Sequence, residues 1–66
     1  MSKPGVVMKV NSPKGIKALR KTLGLTQTEM AKYLGTSYVS VNRWERGWFR
    51  PSQLARAALQ RLAESH

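Results

Sequence analysis

Between Gly24 and Gly47 the chain is punctuated so closely that it can hold only two short helices. Thr26-Gln27-Thr28-Glu29 has the spacing of a capping box, in which the Thr26 hydroxyl and the Glu29 carboxylate each satisfy a backbone N–H that the start of a helix leaves open. That helix should end near Leu34, where Gly35 interrupts the apolar pattern. Ser37 can then cap a second helix running to about Arg46, with Gly47 as its stop. The turn between the two is only about three residues long, which sets two short helices at a steep angle instead of in parallel.

The flanks carry the same punctuation. Ser12-Pro13 reads as a helix start, because serine caps and proline is tolerated at the first helical position; Gly24 supplies the stop after Leu23. Ile16, Leu19 and Leu23 form the apolar stripe of this helix, with Lys14, Lys17 and Lys21 on other faces. Trp48-Phe49-Arg50-Pro51 reads as a loop. Ser52 opens a last helix to about Glu64, with Leu54, Ala55, Ala58, Leu59 and Leu62 as its stripe. Residues 1–11 contain Pro4 and Gly5 before the short apolar stretch Val6 to Val10, and read as an extended arm or a short strand. The expected fold class is all-α: a compact bundle of four short helices in one domain over residues 12–66, preceded by an N-terminal arm over residues 1–11.

A chain of 66 residues buries only about 60% of the surface its unfolded form exposes, so a large catalytic cavity is not expected. With no cysteine, neither a disulfide nor a cysteine-based zinc site can reinforce the core. The apolar runs are too short to span a bilayer and no signal-peptide pattern opens the chain, so a cytoplasmic protein is expected. Twelve Lys and Arg against three acidic residues give a net charge of +9, which favours a polyanionic partner. Charge alone fits DNA, RNA or anionic lipid. The dispersed sheet aromatics and GXXG clamp of common RNA-binding modules are absent.

The two central helices sharpen the choice. If Met30, Ala31 and Leu34 face inward from the first, and Val41 and Trp44 from the second, then Ser37, Tyr38, Val39, Asn42, Arg43 and Arg46 lie on the outward side. That face combines guanidinium, amide and hydroxyl groups with one β-branched apolar residue, groups able to read base edges and a thymine methyl. For Tyr38 and Val39 the alternative is a place in a secondary core.

From Ile16 to about Leu62 the chain also resembles the DNA-binding domain shared by Cro proteins, lambdoid phage repressors and the wider XRE-type helix-turn-helix family. The resemblance rests on Gly24-Leu25-Thr26-Gln27-Thr28-Glu29-Met30-Ala31, on Leu34-Gly35-Thr36-Ser37, and on Arg43-Trp44-Glu45-Arg46-Gly47 followed by Pro51. It implies that the helix from Ser37 to Arg46 enters the major groove. Base contacts would come from Ser37, Tyr38, Val39, Asn42 and Arg43, and phosphate contacts from Gln27, Arg46, the backbone near Trp48, and Arg50; Gln27 would also buttress the reading helix. Arg43 is the first choice for a base contact, its planar fork suiting guanine O6 and N7. The resemblance further implies an ion pair between Arg20 and Glu45. Two departures stand out. Thr36 occupies a position more often apolar in the family, and Trp48-Phe49 replaces a commonly polar loop; exposed, the two aromatics would suit a protein interface or the DNA sugar backbone, but at least one of them is expected to cap the core.

Against this background Glu29, Glu45 and Glu64 have structural roles and His66 is terminal, so neither catalysis nor a metal or other cofactor is expected. The expected partner is double-stranded operator DNA, bound as a homodimer on half-sites about one helical turn apart, because one reading helix touches few base pairs. The arm is slightly favoured over the C-terminal helix as the dimer surface. Repression is the expected consequence. The alternative is an antitoxin-like module that binds a protein partner, such as a toxin, as well as DNA.

Overall fold

The computed structural model describes residues 11–65, and four helices make up its regular structure: α1 (Pro13–Thr22), α2 (Gln27–Leu34), α3 (Tyr38–Arg46) and α4 (Gln53–Glu64). No strand occurs among the described residues. Each start follows its local chemistry. Ser12, Thr26, Ser37 and Ser52 cap α1 to α4, each accepting a backbone N–H three residues on, and at α2 both halves of the capping box are formed. The arm stretch Val6 to Val10 lies outside the described residues.

The turn after α2 closes by two backbone bonds. Gly35 N–H donates to Lys32 O at 3.3 Å and Thr36 N–H to Ala31 O at 2.9 Å, which requires the left-handed conformation at Gly35, φ +69°. No heavy atom lies within 4 Å of where a Cβ would sit there. The glycine is therefore required by the backbone conformation and not by a close neighbour. The turn after α3 repeats the arrangement, with Gly47 at φ +79° and Trp48 N–H donating to Arg43 O at 3.0 Å.

The core is Ile16 and Leu19 from α1, Met30 and Ala31 from α2, Val41 and Trp44 from α3, and Leu59 and Leu62 from α4. Leu23, Leu25, Leu34, Ala55 and Ala63 pack around it. The fully buried side chains each contribute about 1.5–3 kcal/mol by leaving water. α3 packs against both α1 and α2, and α4 packs against α2, so α3 is braced from behind with its other side open.

Two expectations of core packing are corrected. Leu54, assigned to the buried stripe of α4, is 79% exposed, because the helix turns Ala55, Leu59 and Leu62 inward and leaves Leu54 a step of about 100° away. Neither Trp48 nor Phe49 caps the core: they are 64% and 57% exposed. Pro51, two residues further on, is the loop residue that is buried.

Candidate nucleic-acid interface

The outward face of α3 follows from helical periodicity. Val41 and Trp44 are fixed in the core, so Val39, Arg43 and Arg46, spaced four and three residues apart, share the opposite side and are exposed with Tyr38. Tyr38 and Val39 are each about half exposed and belong to no buried cluster, which decides their orientation against a secondary core. Ser37 stands at the helix start, where its hydroxyl accepts Ser40 N–H at 3.2 Å and lies 3.2 Å from the Ser40 hydroxyl.

Behind this face a continuous polar chain ties three helices together. Arg20 Nε donates to Glu45 Oε2 at 2.7 Å and Arg20 Nη2 to Glu45 Oε1 at 3.0 Å, a two-pronged pair joining α1 to α3; Arg20 Nη1 also donates to Leu25 O at 3.0 Å. Gln27 Nε2 donates to Glu45 Oε1 at 3.1 Å, and Gln27 Oε1 accepts from Asn42 Nδ2 at 3.2 Å. Asn42 Oδ1 in turn accepts from Arg46 Nε at 3.0 Å. The first residue of α2 thus props the middle of α3, and an outward guanidinium is connected through four side chains to α1.

The Glu45 side chain is only 5% exposed. Burial pushes its carboxyl up, but hydrogen bonds from Arg20 and Gln27, with the charges of Arg20 and Lys17, outweigh burial and hold it below the ordinary glutamate value. The hydrogen bond to Glu45 raises the Arg20 guanidinium against the opposing effect of its own burial. With Glu45 turned inward and Glu29 engaged in its cap, α3 presents cations and neutral groups outward and no carboxylate.

The loop after α3 adds an arrangement that the sequence reading missed. The Arg43 guanidinium lies over the Phe49 ring at 5.3 Å from its centroid, and that of Arg46 over the Trp48 ring at 5.2 Å. The available signal was two arginines in the last turn of a helix and two adjacent aromatics just past its terminating glycine. Arg50 follows on the same loop, exposed, near Pro13, Pro51 and Arg56. The structure therefore brings Tyr38, Val39, Arg43, Arg46 and Trp48 to one side, and sets Gln27 and Asn42 half-buried behind them as bracing groups.

The arrangement of α2, a glycine turn and an outward-facing α3 coincides with a match to the helix-turn-helix family model over residues 16–64, most of the chain. The chain is a Cro/C1-type helix-turn-helix protein of the XRE family. No curated protein matches it. This helix-turn-helix has the all-helical fold its sequence implied, and membership makes it a DNA-binding regulator. No helix among the described residues is long and apolar enough to cross a membrane.

Proposed function

We propose that the chain is a sequence-specific regulator that places α3 in the major groove of operator DNA and represses transcription by occupying that site. The observation that carries the reading is the outward side of α3. Tyr38, Val39 and Arg43 stand exposed there without a carboxylate, on a helix locked from behind by the Arg20–Glu45–Gln27–Asn42 chain. Arg43 suits a guanine edge and Val39 a thymine methyl. Arg46 and Arg50, with the backbone at Trp48, are suited to phosphates flanking the groove, where they fix register. Ser37 and Asn42 already serve as cap and brace, but each keeps hydrogen-bonding capacity for a base or phosphate.

The reading extends to a homodimer on a two-fold site, since one α3 covers too few base pairs for useful specificity. The exposed Leu54, with Ala58 one turn along α4, supports a self-contact through that helix. Selection of bound duplexes from a randomised pool, followed by footprinting and light scattering of the complex, tests both levels. A motif with two-fold symmetry bound by two chains is expected. An asymmetric half-site bound by one chain would remove the dimer, and absence of any motif would remove sequence-specific reading. A small protein co-purifying with the native chain, with one-to-one stoichiometry, would favour the antitoxin-like role instead.

A further inference from the structure

Trp48 and Phe49 are large apolar side chains left exposed just beyond α3, and they belong to no buried cluster. A chain this small gains nothing in stability from holding two aromatic rings in water. What the rings do touch is specific. Each lies under one arginine of the last turn of α3, Phe49 under Arg43 and Trp48 under Arg46, within the roughly 6 Å at which the ring quadrupole attracts a cation.

The loop is not free to place the rings elsewhere. Gly47 turns left-handed, and Trp48 N–H bonds back to Arg43 O at 3.0 Å, so the segment after α3 folds back along the helix and sets the aromatics beside its last turn. Arg46 is then held from two directions, by Asn42 Oδ1 at its Nε and by the Trp48 ring, whose centroid lies 5.2 Å from its Cζ. A ring contact uses no N–H bond, so it leaves the Nη groups of Arg43 and Arg46 as the donors for a guanine edge or a phosphate, the Nε of Arg46 being taken by Asn42.

We propose that Phe49 and Trp48 are positioning residues for DNA recognition, which preset the reach of Arg43 and Arg46 before the duplex arrives. The inference rests on the DNA-reading role of α3 given above and assigns to the loop a part in it. An arginine with no ring beneath it loses much of its side-chain rotamer freedom when it is fixed on DNA, whereas one held over a ring has lost part of it already. Because Arg43 faces the reading side, Phe49 should act on the preferred site. Because Arg46 suits phosphate, Trp48 should act on all duplexes alike.

The test is duplex binding by the full chain, measured on the selected sequence and on random DNA. Phe49→Leu keeps an apolar side chain but removes the π face; it should weaken binding to the preferred site by about two- to fivefold, the range of an exposed cation–π contact, and random DNA less. Phe49→Tyr keeps the face and should bind as the wild type does. Trp48→Leu should weaken both duplexes equally, and Trp48→Phe should recover most of the loss. In an Arg43→Ala background, Phe49→Leu should have no further effect, which separates positioning from direct contact between the ring and DNA. Unfolding midpoints should stay within the wild-type range, since neither ring is in the core. A wild-type level of binding by both leucine variants would overturn the inference, as would equal losses in Phe49→Leu and Phe49→Tyr, or a full Phe49→Leu loss in the absence of the Arg43 side chain. Failure of the wild-type chain to bind any duplex would instead overturn the DNA-reading role itself.

Discussion

At the scale of single residues, the Arg20–Glu45 pair is the group with most to lose. Both side chains are largely buried, so removing one leaves an uncompensated charge beside the core. Glu45→Ala should destabilise the fold by about 3 kcal/mol, and a double-mutant cycle with Arg20→Met in denaturant unfolding should give a coupling above about 1 kcal/mol. Independent effects would mean that the pair is energetically idle. The same carboxyl makes stability depend on pH. Its folded-state value is depressed, so its contribution is complete above the unfolded carboxyl value of roughly 4.3 and is lost as pH falls through the lower folded value. Unfolding midpoints measured from neutral pH downward should fall more shallowly in Glu45→Gln than in the wild type. On the outward side, Arg43→Ala should cost roughly 1–3 kcal/mol on the selected duplex and relax one base position, leaving the fold intact. An equal loss on random DNA would assign Arg43 to phosphate.

At the scale of elements, the caps and the left-handed glycines hold the angle between α2 and α3. Gly35 sits at φ +69° with open space around it, so Gly35→Ala carries only the cost of a left-handed residue, roughly 1–2 kcal/mol, and no packing clash. Thermal unfolding should show that loss, and Gly35→Asn should recover part of it, because asparagine tolerates this conformation better. If the asparagine variant is as unstable as the alanine one, something other than backbone conformation demands glycine there. Thr26→Ala removes half of the capping box and should cost about 1 kcal/mol. It frees the start of α2, from which Gln27 braces α3, so its effect on DNA affinity should exceed that of losing the Ser52 cap of α4.

At the scale of the whole molecule, charge governs how the helix-turn-helix meets DNA. Of three carboxylates, Glu45 is paired inside and Glu29 is engaged in a cap, so the net charge of +9 is presented with little internal compensation near α3. Duplex affinity should fall steeply between roughly 50 and 200 mM salt, each neutralised phosphate adding about −0.9 to the slope of log K against log salt. Arg46→Gln should flatten that slope by about one. A salt-insensitive affinity would leave no place for phosphate contacts.

The number of helices, their starts and stops, and most core residues were legible in the sequence, because a cap or a left-handed glycine works through bonds to residues three to five positions away. Apolar spacing likewise identified Ile16, Leu19, Met30, Ala31, Val41 and Trp44. The Arg20–Glu45 pair was foreseen only through family resemblance, since nothing in a separation of twenty-five positions signals contact. The resemblance likewise implied that Gln27 buttresses α3, but tertiary structure alone decided that it does so through Asn42, that Leu54 is exposed, and that Phe49 and Trp48 lie under two arginines. Each depends on how one helix is rotated against another, or on where a loop returns. Periodicity specifies a buried face too broadly to fix that rotation, and the packing of α3 between α1, α2 and its own trailing loop supplies the missing constraint.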